Sequence, residues 1–156
     1  VKKVVYSWED ILDHARILLG KLAGRNYDAL LAITRGGMIP GALLAEALGI
    51  RNVLTAAVML YDDTVRAHDE PHFLQFPVDA LVLDKKVLVV DDVWDSGRTA
   101  VAVRERVKQA GGEPEVAVLH FKPTNNAFPG DGPDHYALQT SDWIVYPWDP
   151  ESWVGV

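Results

Sequence analysis

Val87–Thr99 reads VLVVDDVWDSGRT. Its first part, with Lys86, is the strongest strand signal in the chain: Lys86–Val90 is β-branched or apolar after the lysine, as in a strand covered on both faces. Asp91 and Asp92 follow at its carboxyl end, then a turn containing Gly97, then a helix over Thr99–Ala110 that stops at Gly111-Gly112. A strand that delivers polar residues into a turn and a helix start is the unit of a parallel α/β sheet. Such sheets bind ligands at the carboxyl ends of their strands, near a topological switch point.

The turn suits an anion. Consecutive N–H groups from Asp95, Ser96, Gly97, Arg98 and Thr99 can form a nest at the positive end of the helix. Ser96 and Thr99 add hydroxyl donors, and Gly97 permits a tight turn. Asp91 and Asp92 can accept hydrogen bonds from a sugar diol, or hold Mg²⁺ directly or through water. Capping by acids explains a lone Asp-Ser-Gly, but not the thirteen-residue pattern. A Walker-A lysine loop and a GxGxxG after a strand are both absent, which disfavours an ATPase or a dinucleotide enzyme.

Working outward, Ser7–Gly24 is a helix with Ser7 as N-cap, and Asp28–Thr34 a second buried strand. Ile33–Gly37 (ITRGG) ends that strand with a guanidinium, Arg35, and two glycines, Gly36 and Gly37. Alone it reads as a turn with a solvated arginine; beside the first motif it reads as a diphosphate contact. Pro40 opens a helix that Gly49 ends, and Val53–Leu60 is another strand. Tyr61–Ala80 has no clean period and is expected to be a long loop. His68 and His72 lie there four apart with acids nearby; a solvated loop is favoured over a metal site. Glu115–Phe121 is a further buried strand. Lys122-Pro123 and a polar stretch, Thr124–Gly132, follow. A short strand around Trp143–Tyr146 and an aromatic tail close the chain. Residues 1–156 read as one domain.

The 156 residues contain no cysteine, which excludes disulfides, zinc thiolates and thiol nucleophiles and fits a reducing cytoplasm. The apolar run at Val4-Val5 is too short for a signal peptide core, and no stretch approaches a membrane span. A net charge of −7 disfavours nucleic acid as a partner. Phosphate binding must therefore be local, by amides, a few cations or a metal.

Val87–Thr99 resembles the phosphoribosyl pyrophosphate (PRPP) signature of type I phosphoribosyltransferases. RGGMIPGALLAEALGIR, DDVWDSGRTAVAVRERV, Phe121-Lys122-Pro123 and Ser141–Asp149 (SDWIVYPWD) follow in the order of the bacterial xanthine–guanine and hypoxanthine enzymes. The resemblance implies a mostly parallel sheet flanked by helices, a mobile loop at about 61–80 and a base-recognition hood at about 122–156. It assigns Asp91 and Asp92 to the ribose and Mg²⁺, and residues 95–99 to the 5-phosphate. Arg35, Gly36 and Gly37 fall to the pyrophosphate, with an unusual peptide after Thr34. Lys122 would donate to the purine O6, Trp143 would stack on the base and Ile144 would line its pocket. Asp95 would accept or hold the N7 proton. Implied with these are purine salvage in the cytoplasm and a homo-oligomer, dimer or tetramer. The Ser-Tyr pair frequent in the mobile loop of related enzymes is Leu60-Tyr61 here. A non-catalytic PRPP or nucleotide sensor of the same fold is the rival reading.

Overall fold

A computed structural model describes residues 1–61 and 67–155. In chain order the elements are β1 (Lys3–Val5), α1 (Trp8–Leu22), β2 (Ala29–Ile33), α2 (Met38–Leu48), β3 (Val53–Tyr61), β4 (Ala67–Gln75), a 3-10 turn (Asp79–Leu81), β5 (Lys86–Trp94), α3 (Arg98–Gln109), β6 (Glu113–Phe121), β7 (His135–Gln139), β8 (Trp143–Val145) and α4 (Pro150–Trp153). Among the described residues the main sheet has six strands in the order β4-β3-β2-β5-β6-β7, and β1 and β8 form a separate parallel pair. All main-sheet pairings are parallel except β3 with β4.

The apolar strands sort their side chains by parity, because successive residues of a strand face opposite sides. Leu30, Ala32, Leu88, Val90 and Leu119 pack with Ile11, Leu18 and Leu22 of α1 and Leu44 of α2. Leu31, Ile33, Val87, Val89, Val116 and Val118 pack on the other face with Val103 and Val107 of α3. Covering both faces is what an all-apolar run such as Ala29–Ile33 requires; all five of its residues are buried. Ser7 starts α1 through a reciprocal capping box with Asp10, and Gly49 ends α2 in the left-handed region.

The expected long loop over 61–80 is corrected by the structure. Ala67–Gln75 is a strand, antiparallel to β3, with Val58 opposite Phe73 and Met59 opposite His72. Residues 62–66 lie outside the described residues. β4 is an edge strand, so it tolerates Pro71 and charged side chains that a central strand would exclude. Register shifts between Ala57 and Val58 and between Met59 and Tyr61 break the alternation that would have revealed it. For the pair of histidines, the side chain of His68 lies outside the description and His72 is exposed. β7 and β1 are further additions: both are short edge strands, five and three residues long, with too few residues to show an alternation. Among the described residues, no helix is long and apolar enough to cross a membrane.

Candidate active site

The strand order reverses between β2 and β5. The chain leaves β2 for β3 on one side and returns to place β5 on the other. The crevice at the carboxyl ends of these two strands is the switch point. The ITRGG loop leaves β2 there, and Asp91–Thr99 lies at the end of β5.

β5 runs four residues past its last partner in β2. The β2 register ends at Ala32 opposite Val90, while pairing with β6 continues to Trp94 opposite Phe121. Asp91 and Asp92 therefore sit on ordered strand, not in the turn. The β2 loop fills the space beside them. A Cβ on Gly36 would lie 2.5 Å from Asp92 Oδ1, so glycine is what allows the loop to touch that carboxylate. Gly37 is buried and donates its N–H to Ile33 O at 2.8 Å, turning the chain into α2. The Thr34–Arg35 peptide is cis, and Arg35 is exposed at the crevice.

The two acids are electrostatically uncomfortable. Burial, then the charge of Asp92, pushes the Asp91 carboxyl well above the usual range. Asp92 is raised as well, chiefly by burial. A divalent cation or a hydroxyl donor would relieve this. Among the described residues no group of three or more His, Asp or Glu could hold a metal alone. The Asp91-Asp92 pair itself fits Mg²⁺, which takes one or two carboxylates and completes its shell with water and substrate phosphate oxygens.

Beyond Trp94 the backbone turns through Gly97, whose φ of +81° starts α3. Among the described residues the N–H groups of Asp95, Ser96, Gly97 and Thr99 donate to no main-chain or side-chain acceptor; that of Arg98 makes one long bond, 3.4 Å, to Ser96 Oγ. Free amides gathered at a helix N-terminus could receive an anion there. The loop after β6 braces it. Ala127 N donates to Ser96 O at 3.0 Å, and the buried Trp94 indole donates to Asn126 Oδ1 at 3.0 Å.

Lys122 is almost wholly buried, and its ammonium lies 3.2 Å from Asp95 Oδ2. Asn125 Nδ2 donates to the other oxygen at 2.7 Å. The structure thus joins Lys122 and Asp95, two residues that the sequence reading placed in separate roles. Asn125 was missed; the only signal was a polar Thr-Asn-Asn after Lys122-Pro123. Trp143 is 61% exposed. With the half-buried Ile144 it lies on β8, outside the main sheet. Among the described residues no hydrogen bond or ring contact joins Trp143 to Lys122 or Asp95.

Residues 5–152 match the family model described as "Phosphoribosyl transferase domain". Among solved structures, the chain is 32% identical to a purine phosphoribosyltransferase from Pyrococcus horikoshii Ot3, with 96% of this chain and 95% of that one covered and a TM-score of 0.81. It is equally 32% identical to a hypothetical protein from Neisseria gonorrhoeae with bound ppGpp, over 95% and 89% of the chains at TM-score 0.81. The Helicobacter pylori xanthine-guanine-hypoxanthine phosphoribosyltransferase shares the fold at 23% identity, over 94% of each chain at TM-score 0.80. With its acid pair and amide nest at the switch point and this family match over nearly its whole length, the chain belongs to the phosphoribosyltransferase family.

Proposed function

We propose that the protein transfers ribose 5-phosphate from PRPP to a 6-oxopurine (guanine, xanthine or hypoxanthine) in purine salvage, releasing pyrophosphate. The observation that carries this is the juxtaposition on one strand end of two carboxylates and a ring of free amides. Asp91 and Asp92 take the ribose hydroxyls and Mg²⁺. Residues 95–99 take the 5-phosphate, with Ser96, Thr99 and Arg98 beside the amides. Arg35 and the amides of Gly36 and Gly37 take the pyrophosphate. Mg²⁺, when bound, neutralises charge on the departing diphosphate.

The purine N9 forms a bond to C1 of the ribose as the bond from C1 to the pyrophosphate oxygen breaks. Positive charge develops on the sugar, so alignment and exclusion of water are the main demands on the protein. Asp95 accepts or holds the proton at N7, and its contacts with Lys122 and Asn125 keep both oxygens in place for it. Lys122 is a donor-only group in a buried position. It pairs with the O6 carbonyl of a 6-oxopurine and would face the amino group of adenine unpaired, the kind of mismatch that discriminates strongly. Trp143, with an exposed ring, stacks on the base, and Ile144 lines the pocket. The similarity to the Pyrococcus purine enzyme supports the purine class.

A nucleotide sensor of the same fold draws support from the Neisseria protein with bound ppGpp. One assay separates the two readings: pyrophosphate release when PRPP and Mg²⁺ meet each purine in turn, with wild type and Lys122→Ala. Release with a 6-oxopurine but not adenine, lost in Lys122→Ala, is expected. PRPP binding without release for any base would favour the sensor.

A further inference from the structure

Behind the acid pair runs a buried polar chain that the proposed reaction does not use. Tyr146 follows β8 and is 4% exposed. Its hydroxyl lies 3.3 Å from the main-chain oxygen of Asp92 and 2.8 Å from Nδ1 of His120. His120, on β6, is fully buried, and its Nε2 lies 3.1 Å from Nδ1 of His14 on α1. Ring packing fixes each member. Tyr6 stacks on His120 with 4° between planes, and Trp148 stacks on Tyr146 with 5°. Tyr146 N also donates to Asp149 Oδ2 at 2.7 Å, pinning the turn that carries it.

The direction of this chain follows from counting protons. Burial keeps His120 neutral, so its ring carries one N–H. With that proton on Nδ1, His120 donates to the Tyr146 oxygen. The Tyr146 proton is then free for Asp92 O, and Nε2 accepts from His14 Nδ1–H. With the proton on Nε2, the Tyr146 proton is drawn to Nδ1 and Asp92 O loses its donor. The first arrangement makes all three hydrogen bonds of this chain, whereas the second leaves Asp92 O without one; satisfied buried groups are the rule. Aligned bonds also strengthen one another in a low-dielectric interior.

Asp92 O sits where this support matters. β2 no longer pairs with β5 beyond Val90, so the segment carrying the acids is held by β6 alone in the sheet. We infer that Tyr146, oriented by His120 and His14, is a positioning residue: it fixes the Asp92 main chain and so sets both carboxylates for the ribose and Mg²⁺. The inference rests on the reading of Asp91 and Asp92 as the PRPP grip. It also assigns the C-terminal segment a part in PRPP binding, beside its part in base recognition.

Tyr146→Phe removes the hydroxyl and keeps the ring stacked on Trp148. The expected result is a KM for PRPP, and a Kd for PRPP with Mg²⁺, raised about fivefold, the scale of one lost hydrogen bond. The KM for the base should stay unchanged. His120→Leu should show the same split. His120→Asn, which can offer an amide N–H near the Nδ1 position, should bind PRPP more tightly than His120→Leu. A general loss of folded enzyme would lower apparent kcat and leave both KM values unchanged; that outcome, or a rise in both KM values together, overturns the inference. Wild-type PRPP binding matched by Tyr146→Phe overturns it alone. Wild type that binds no PRPP overturns it together with the functional reading.

Discussion

At the scale of single residues, Gly97 shows how the turn proposed to hold the 5-phosphate depends on the absence of a side chain. Its φ of +81° is a conformation that side chains resist, and an added Cβ would run into the indole of Trp94. That indole is fully buried and anchored to Asn126, so it has little room to move. Gly97→Ala should therefore cost about 1–3 kcal/mol of stability and weaken PRPP binding by displacing the amides, both read from denaturant unfolding and a PRPP titration. A variant with wild-type stability and affinity would show that the turn is not held as described. Gly97 was legible in the sequence as a turn residue. Its contact with Trp94 was not, because Trp94 reads only as an apolar residue between two acids and a turn.

Among the elements, α2 stands apart because it is apolar nearly all round, with Glu46 its one charge. Pro40, Gly41, Leu44 and Ala45 face inward, whereas Met38 is half exposed and lies with Ile39, Ala42 and Leu43 along an open apolar groove. A helix of this composition is normally covered on both sides. A second copy of the chain is the occupant we propose, in keeping with the expected homo-oligomer. Sedimentation should give a mass above the 17.2 kDa of one chain, falling toward it in Leu43→Glu; a monomeric wild type would refute this. The elements also show where sequence reading succeeds. β2, β5 and β6 are buried on both faces, so their apolar runs announce them, and α1 carries its cap in Ser7. β4 and β7 are edge strands whose pairing comes from a neighbour and not from their own pattern. The strand reading of β5 stopped at Val90 because two acids look like a loop; β6 extends it to Trp94 by supplying partners that sequence does not display.

For the molecule as a whole, topology converts separated motifs into one crevice. The β2 loop and the β5 end are distant in sequence and adjacent in space because the strand order reverses between them. The motifs at these two strand ends could be read from residue type and spacing. The contacts that organise the site could not: Lys122 and Asn125 reach Asp95 across 27 and 30 residues, and Tyr146 reaches Asp92 across 54. Such pairings follow from where β6 and the C-terminal segment lie in the folded chain. In the proposed reaction the Asp91-Asp92 pair and the neighbouring amides hold PRPP from two sides. Calorimetric titration of PRPP with Mg²⁺ into wild type and an Asp91→Asn/Asp92→Asn double variant tests this most directly. The prediction is one saturable site in wild type, weakened about tenfold or more when both charges are removed, since a hydrogen bond to a charged group contributes about 1.5–3 kcal/mol. Absence of binding in wild type, or equal binding by the double variant, would contradict it.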